Sequence, residues 1–528
     1  MHTNNMKNRL FNELIYIFLI SSFFIFLSFY YANQFNLERH WSSKHDIESV
    51  LTYNALLFNS SIEQEFVDHS GYFSILISSL YLKVLGFLGV IDIYKISQIK
   101  GLGLDEIFQD AVVHLRILST VINAFISVAI TYFFYLIFNR KFYSFILGVS
   151  VFFLYGNIEL LTNFRTETFS ILFLIFSLIA IKKFFEKNKI IYFISFFFFL
   201  FCSILNKNLV ILYIPVILFF TYFINENKLS FNISLFNNLD KNKIIFQIFL
   251  FLFIFITLKS LVFGRDFRTW VFLIILISMI NFYFYKISNK LSLKNNIILF
   301  NFSLIIGYIF FNIIVFLHPS ASLISLNKTI FQVITQMVVH AHHEVAATTT
   351  LLSLLTSMAG LFLENTLRMV DIFILTINKY SFPYFNSYLI IFLSSICLFI
   401  VKLKNFNSRD KKILISIFFT FFIICEINFL RGAVKYYFGY FDYLIILFLG
   451  VILNKFSKST SLFLASIILV LTFYSSHNQV FIKYALPFEN KKSLCGLSSQ
   501  EQKNRPSFLQ NYHQLIPESA MKSYCDFD

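Results

Sequence analysis

Apolar runs long enough to cross a bilayer recur from residue 14 almost to residue 475, broken by short polar connections. In hydrocarbon every backbone N–H and C=O must be paired within the protein, which selects helices; a barrel would show alternating segments of about ten residues instead. Composition agrees, with 57% of residues hydrophobic and 13% charged. The expected fold class is all-α: a polytopic transmembrane helical bundle of about thirteen spans, with an outward-facing first loop of interfacial helices. The runs place spans near 14–32, 113–138, 142–158, 168–183, 190–205, 209–224, 244–262, 269–286, 296–317, 385–401, 413–429, 438–454 and 461–475.

Charge then sets the orientation. The first run follows Lys7 and Arg9 and lacks a small-residue cleavage site, so it reads as an uncleaved span with a cytoplasmic N-terminus. Every strongly basic short connection falls on that same side: Arg140-Lys141, Lys182 to Lys189, Asn225 to Lys243, Lys286 to Lys294, Lys402 to Lys412 and Lys455 to Lys458. The net charge of +15 is therefore mostly an orientation signal, spread over many loops of one membrane face. A nucleic-acid partner, which would need a basic stripe with interleaved aromatics, is not expected. The predicted location is a multi-pass plasma (inner) membrane protein, in contact with the lipid bilayer, with an extracytoplasmic C-terminus.

Four regions follow: an N-terminal transmembrane module over 1–317 whose first outward loop is 33–112, an outward loop over 318–384, C-terminal spans over 385–475, and an outward tail over 476–528. In the first loop, Ile47, Val50, Leu51, Leu57 and Phe58 recur at helical spacing, predicting a helix along the interface with Asp46 in its first turn. Tyr72 to Leu88 reads as a second apolar helix ended by Gly86 and Gly89. Cys202, Cys397 and Cys425 fall in spans, whereas Cys495 and Cys525 lie in the tail. A bridge between those two would close a loop of roughly 30 residues and stabilise the tail by about 3 kcal/mol.

Several polar residues stand out against this background. Asp46, Glu48, Asp68 and His69 sit on the first outward loop, where carboxylates can do chemistry at a membrane surface. Asp46 also has a structural reading: Ser43 with Asp46 three residues on fits a capping box. Glu48 reads as a solvated neighbour, and Asp68 and His69 equally as turn formers. Arg165 and Glu167 lie at a span's mouth, where i, i+2 spacing keeps them apart on a helix and interfacial anchoring is the plain alternative. Lys207 interrupts an apolar run as Asn206-Lys207-Asn208, which a turn also explains. Arg431 and Lys435 are cations facing outward, against the positive-inside trend, beside Tyr436, Tyr437, Tyr440 and Tyr443, which anchoring would also explain. His340, His343 and Glu344 lie on a polar stripe that could hold a divalent metal, although the spacing is not His-Glu-x-x-His.

In order, these features resemble the C-type glycosyltransferase fold, and within it the protein O-mannosyltransferase and aminoarabinose transferase group. The matching landmarks are Asp46 after the first span, the helix through Phe58, the step Asp68-His69-Ser70-Gly71, the helix to Gly86, and a span opening Leu115-Arg116-Ile117-Leu118-Ser119. Phe164-Arg165-Thr166-Glu167, Leu205-Asn206-Lys207-Asn208 and the stretch Arg431 to Tyr443 continue the likeness. It is close over residues 10 to 225 and looser in the last third. Ser-Gly stands where relatives carry Pro-Pro or Pro-Gly, so the subfamily stays open.

The resemblance implies transfer of a sugar from a polyprenyl-phosphate-linked donor to a glycan or protein acceptor on the outward face. It implies Asp46 as general base, with Glu48, Asp68 or His69 orienting the acceptor or tuning it, and Arg165, Glu167, Lys207, Arg431 and Lys435 at the donor phosphate. The physical logic is independent of the family: no nucleotide sugar reaches an outward site, and a leaving phosphate is best met by Arg and Lys. Two other readings stay open. A transporter or flippase of a lipid-linked glycan would also be polytopic, though the internal repeats it tends to show are not visible here. An O-antigen ligase or polymerase would place its essential residues in the 318–384 loop.

Overall fold

The structure, a computed structural model, describes residues 2–34, 37–38, 47–62, 71–98, 104–161, 163–187, 189–224, 387–430 and 435–485, with 360, 363, 366 and 367. Among them every regular element is a helix. The expected spans 244–262, 269–286 and 296–317, the 318–384 loop with His340, His343 and Glu344, and Cys495 and Cys525 lie outside the described residues.

In chain order the helices are α1 (His2–Gln34), α2 (Ile47–Asn59), α3 (Tyr72–Phe87), α4 (Leu104–Phe138), α5 (Lys141–Phe152), α6 (Tyr155–Leu161), α7 (Thr166–Lys187), α8 (Ile190–Asn206), α9 (Ile214–Ile224), α10 (Ser387–Lys402), α11 (Ser408–Leu430), α12 (Asp442–Leu453) and α13 (Lys458–Ala485). Short 3-10 turns precede α9 (Asn208–Tyr213) and α12 (Lys435–Tyr440). Among the described residues three helical stretches are long and apolar enough to cross a membrane: Phe11–Gln34, Phe108–Phe138 and Thr166–Lys187. The first keeps a lipid-like outer face, with Phe18 69% and Phe26 70% exposed, while Phe24 is buried against Phe145 and Phe152 of α5. α7 and α8 pack side by side through aromatic pairs such as Phe184–Phe193 and Phe173–Phe199.

Polar groups gather at the two ends of these long helices. On α4, Arg116 and Tyr132 are sixteen residues apart, and on α7 so are Glu167 and Lys183; at 1.5 Å per residue each pair is separated by about 24 Å, comparable to a hydrocarbon core. At one end the Tyr132 hydroxyl donates to Glu13 and Lys183 lies 4.0 Å from the same carboxylate, joining α1, α4 and α7. The opposite end holds the candidate site.

The structure corrects several expected elements. The run 142–158 is not one helix: α5 stops at Phe152, Phe153 and Leu154 close its last turn through N–H bonds to Val149 and Val151, and α6 sets off separately. The reason lies across the bundle, where a Cβ on Gly156 would fall 2.4 Å from the Gly439 nitrogen and 2.6 Å from the Phe438 carbonyl carbon. α6 is thus led aside to press its backbone onto the 435–440 turn. The run 438–454 starts as that 3-10 turn, so α12 begins only at Asp442. α4 starts well before residue 113, and α13 runs ten residues beyond 475. α2 is not an amphipathic interfacial helix: residues 51–57 are all buried, Thr52 and Asn54 included. Asn59 closes it against α3 and the following turn, its amide donating to the carbonyls of Ser79 at 2.8 Å and Tyr94 at 2.9 Å.

Gly156→Ala should therefore separate α6 from the late turn and cost about 1–3 kcal/mol of stability. Thermal unfolding in detergent reads this, with Gly360→Ala, whose Cβ would meet nothing within 4 Å, as the unaffected comparison.

Candidate functional site

The site is built where the start of α2 meets α4. Glu48 lies in the first turn of α2, 3% exposed, and Arg116 on α4 is fully buried. The two pair as a fork: Arg116 Nε donates to Oε1 at 3.0 Å and Nη2 to Oε2 at 2.9 Å. Arg116 Nη1 also donates to the Leu37 carbonyl at 3.1 Å, and the Phe164 amide donates to Glu48 Oε1 at 3.1 Å. One ion pair thus ties the turn after α1, the start of α2, the first half of α4 and the segment before α7. Charge-assisted, bidentate bonds of this kind are the strong ones, and they offset the cost of burying both charges. One turn along α4, the Ser119 hydroxyl lies 3.1 Å from the Leu160 carbonyl, which α6 leaves open at its end, and 3.0 Å from that of Asn163 just beyond it.

The Phe164 contact leads directly to a second cluster. Glu167, in the first turn of α7 and 0% exposed, lies between Arg165, whose Nε is 3.3 Å from Oε2, and Lys207, whose Nζ is 2.6 Å from Oε1. The Thr166 hydroxyl adds a 3.2 Å contact to Oε2. Arg165 meets Glu167 because α7 begins at Thr166; the arginine precedes the helix, and helical spacing does not separate them. Both are buried, Arg165 at 4% exposure, so they do not serve as interfacial anchors. Glu48 is likewise not a solvated neighbour but the buried partner of Arg116.

Lys207 ends α8 in an extended conformation, φ −145°, ψ 107°. Beside it Asn206 clasps the start of α3: its Oδ1 accepts the Ser74 amide at 3.0 Å and the Ser74 hydroxyl at 3.1 Å, and its carbonyl accepts the Gly71 amide at 3.2 Å. Gly71 stands at φ +46°, a left-handed conformation in which a side chain would be strained. The step Asp68-His69-Ser70-Gly71 is therefore fastened at its last residue beside Lys207. On the other side, the Lys207 ammonium lies 5.1 Å from the Tyr437 ring, two residues beyond Lys435. Asn428 of α11 holds that turn by donating to the Tyr437 carbonyl at 3.4 Å, and itself accepts the Tyr213 hydroxyl. Tyr437, Tyr440 and Tyr443 are buried, so they form no aromatic belt at the lipid boundary.

No family model, curated protein or solved structure matches this chain.

The geometry brings together Glu48, Arg165, Glu167 and Lys207 with the turn that Lys435 opens. Asp46, Asp68, His69 and Arg431 lie outside the described residues. Among the described residues no group of three or more His, Cys, Asp or Glu side chains is placed to hold a metal ion.

Sequence reasoning used Arg116 only as a landmark and overlooked its pairing with Glu48, the Asn206 clasp and the Tyr437 contact. The signal for Arg116 was available, since an arginine inside an apolar run is costly unless it is paired or lines a cavity. Chemically, three cations and two carboxylates drawn together in buried surroundings suit the binding of an anion beside a positioned acid or base.

Proposed function

We propose that this chain is an integral-membrane glycosyltransferase, a bundle of about thirteen spans, that takes a sugar from a polyprenyl-phosphate-linked donor and passes it to an extracytoplasmic glycolipid, polysaccharide or protein. The observation that carries this reading is the convergence, at one end of the bundle, of Glu48–Arg116 with Arg165, Glu167, Lys207 and Tyr437, contributed by segments far apart in sequence. Buried charges retained at the mouth of apolar helices favour a site over a purely structural role.

In the proposed reaction the Asp46 carboxylate takes the proton from an acceptor hydroxyl. The freed oxygen attacks the anomeric carbon, and the bond from that carbon to the phosphate oxygen breaks. Its electron pair stays on the phosphate, whose charge is met by Lys207 and Arg165 from within and by Arg431 and Lys435 from the late segment. Glu48, held by Arg116, fixes the start of α2, which Asp46 immediately precedes in the sequence. Glu167 holds Arg165 and Lys207 in place.

The test is thermal stabilisation of the detergent-purified protein by polyprenyl phosphate, the product common to all such donors, followed by transfer of labelled sugar. Stabilisation of the wild type that is lost in Arg431→Ala/Lys435→Ala, with turnover of labelled donor, is the expected result. Donor binding without turnover would favour a lipid-linked glycan flippase. A well-folded wild type that no chain length of polyprenyl phosphate stabilises would overturn the reading.

A further inference from the structure

The 435–440 turn carries a polar group that the fold itself does not use. Tyr440 is fully buried, yet its hydroxyl makes no hydrogen bond. Burying a hydroxyl unpaired is costly, and a phenylalanine would fill the same space without that cost, so the group asks for an explanation. Its neighbour shows the contrast: the Tyr213 ring lies 5.4 Å from that of Tyr440, and the Tyr213 hydroxyl is spent on Asn428. On α7 the Ser170 hydroxyl faces Tyr440, but it is engaged with the carbonyl and the hydroxyl of Ser203, each at 3.0 Å.

Three observations place this hydroxyl beside Lys207. In a 3-10 turn side chains three apart lie on one side, and Tyr440 is three residues beyond Tyr437, whose ring lies 5.1 Å from the Lys207 ammonium. The same turn rests on α7, where a Cβ on Gly439 would fall 2.8 Å from Ile171 Cδ1. Glu167, one turn back along α7 from Ile171, is close enough to act electrostatically on Tyr440, and its Oε1 is the ion-pair partner of Lys207 at 2.6 Å. Lys207 is itself 3% exposed and, beyond that ion pair, its ammonium makes no hydrogen bond, although it carries three N–H donors. Unfilled donors from the end of α8 and from the late turn therefore border one place.

We propose that the Tyr440 hydroxyl is a ligand of the donor phosphate, donating a hydrogen bond to one of its oxygens beside the Lys207 ammonium. This rests on the transferase reading and adds to it a neutral donor that a search for cations does not reveal. Of the two contacts that hold the ammonium, the one with the Tyr437 ring is weaker than the ion pair, and it is the one that an arriving phosphate oxygen displaces. The phenol keeps its proton throughout. As negative charge gathers on the departing phosphate, the hydrogen bond from Tyr440 becomes charge-assisted and strengthens.

The experiment compares wild type, Tyr440→Phe and Tyr213→Phe as full chains in detergent. Thermal unfolding is followed without ligand and then against rising polyprenyl phosphate, with the matching polyprenol as the tail without the phosphate. Without ligand, Tyr440→Phe should unfold at or above the wild-type temperature, because it removes an unpaired buried hydroxyl, whereas Tyr213→Phe breaks a buried hydrogen bond and should unfold lower. With ligand, Tyr440→Phe should bind polyprenyl phosphate more weakly, on the order of tenfold, and polyprenol should not separate it from wild type. Wild-type affinity in Tyr440→Phe would overturn the assignment while leaving the phosphate site and the transferase reading intact. A loss of stability in Tyr440→Phe matching that of Tyr213→Phe would overturn it too, since the hydroxyl would then be bonded within the protein. A wild type that polyprenyl phosphate does not stabilise would instead remove the transferase reading, and this ligand with it.

Discussion

Asp46→Asn should abolish sugar transfer, lowering the rate by about 10²- to 10⁴-fold, the contribution of a positioned general base, while the thermal unfolding of the protein stays near wild type. The substitution keeps the shape and the hydrogen-bonding capacity of a helix cap, so a purely capping role for Asp46 predicts little change in either quantity. Binding of polyprenyl phosphate should also survive, because in the proposed reaction the phosphate is met by other residues. Wild-type transfer by the variant would remove Asp46 from the mechanism and leave the acid or base to be sought at Asp68 or His69, on the step that ends at the pinned Gly71.

The second large effect concerns the Glu48–Arg116 pair. Arg116→Met leaves Glu48 buried without the partner that holds both its oxygens, and breaking such a pair from one side costs about 3–5 kcal/mol. Glu48→Leu alone should be comparably damaging, since the guanidinium is then stranded. The double variant Glu48→Leu/Arg116→Met removes both charges together and should recover most of the lost stability. Transfer activity should not recover with it. The bonds from Glu48 to the Phe164 amide and from Arg116 to the Leu37 carbonyl are gone, and with them the fixing of the start of α2. A double variant that is both stable and fully active would make the pair structural alone.

The long runs behind α1, α4 and α7 were legible because burial in lipid writes hydrophobicity over whole helices, and the turn at Lys207 was legible as a polar break between two apolar runs. What the sequence hid was set by contacts between distant segments. The local mark at the stop is faint: Gly156 stands three residues beyond Phe153, and the break follows from its meeting Gly439 nearly three hundred residues away. Glu48 looked solvated because its partner is 68 residues further on. Arg165 and Glu167 looked separated because the first residue of α7 had to be known before their spacing could be interpreted. α2 looked interfacial from the helical spacing of Ile47, Val50, Leu51, Leu57 and Phe58, while its buried Thr52 and Asn54 are tolerated because local bonds such as Thr52 Oγ1 to the Glu48 carbonyl, 2.9 Å, serve part of their polarity.

The contact between Lys207 and Tyr437 also has a bearing on biosynthesis. The two residues are separated by 230 positions, so at the usual pace of elongation the ribosome needs on the order of tens of seconds to deliver the second after the first. During that interval Arg116 and Glu48 have already both been made, but the Lys207–Glu167 pair lacks the Tyr437 ring that lies beside its ammonium. A nascent chain arrested before the 435–440 turn would present a buried-type ammonium to lipid or to a membrane chaperone. Assembly of this protein thus has a vulnerable stage whose end is marked by the arrival of one aromatic turn.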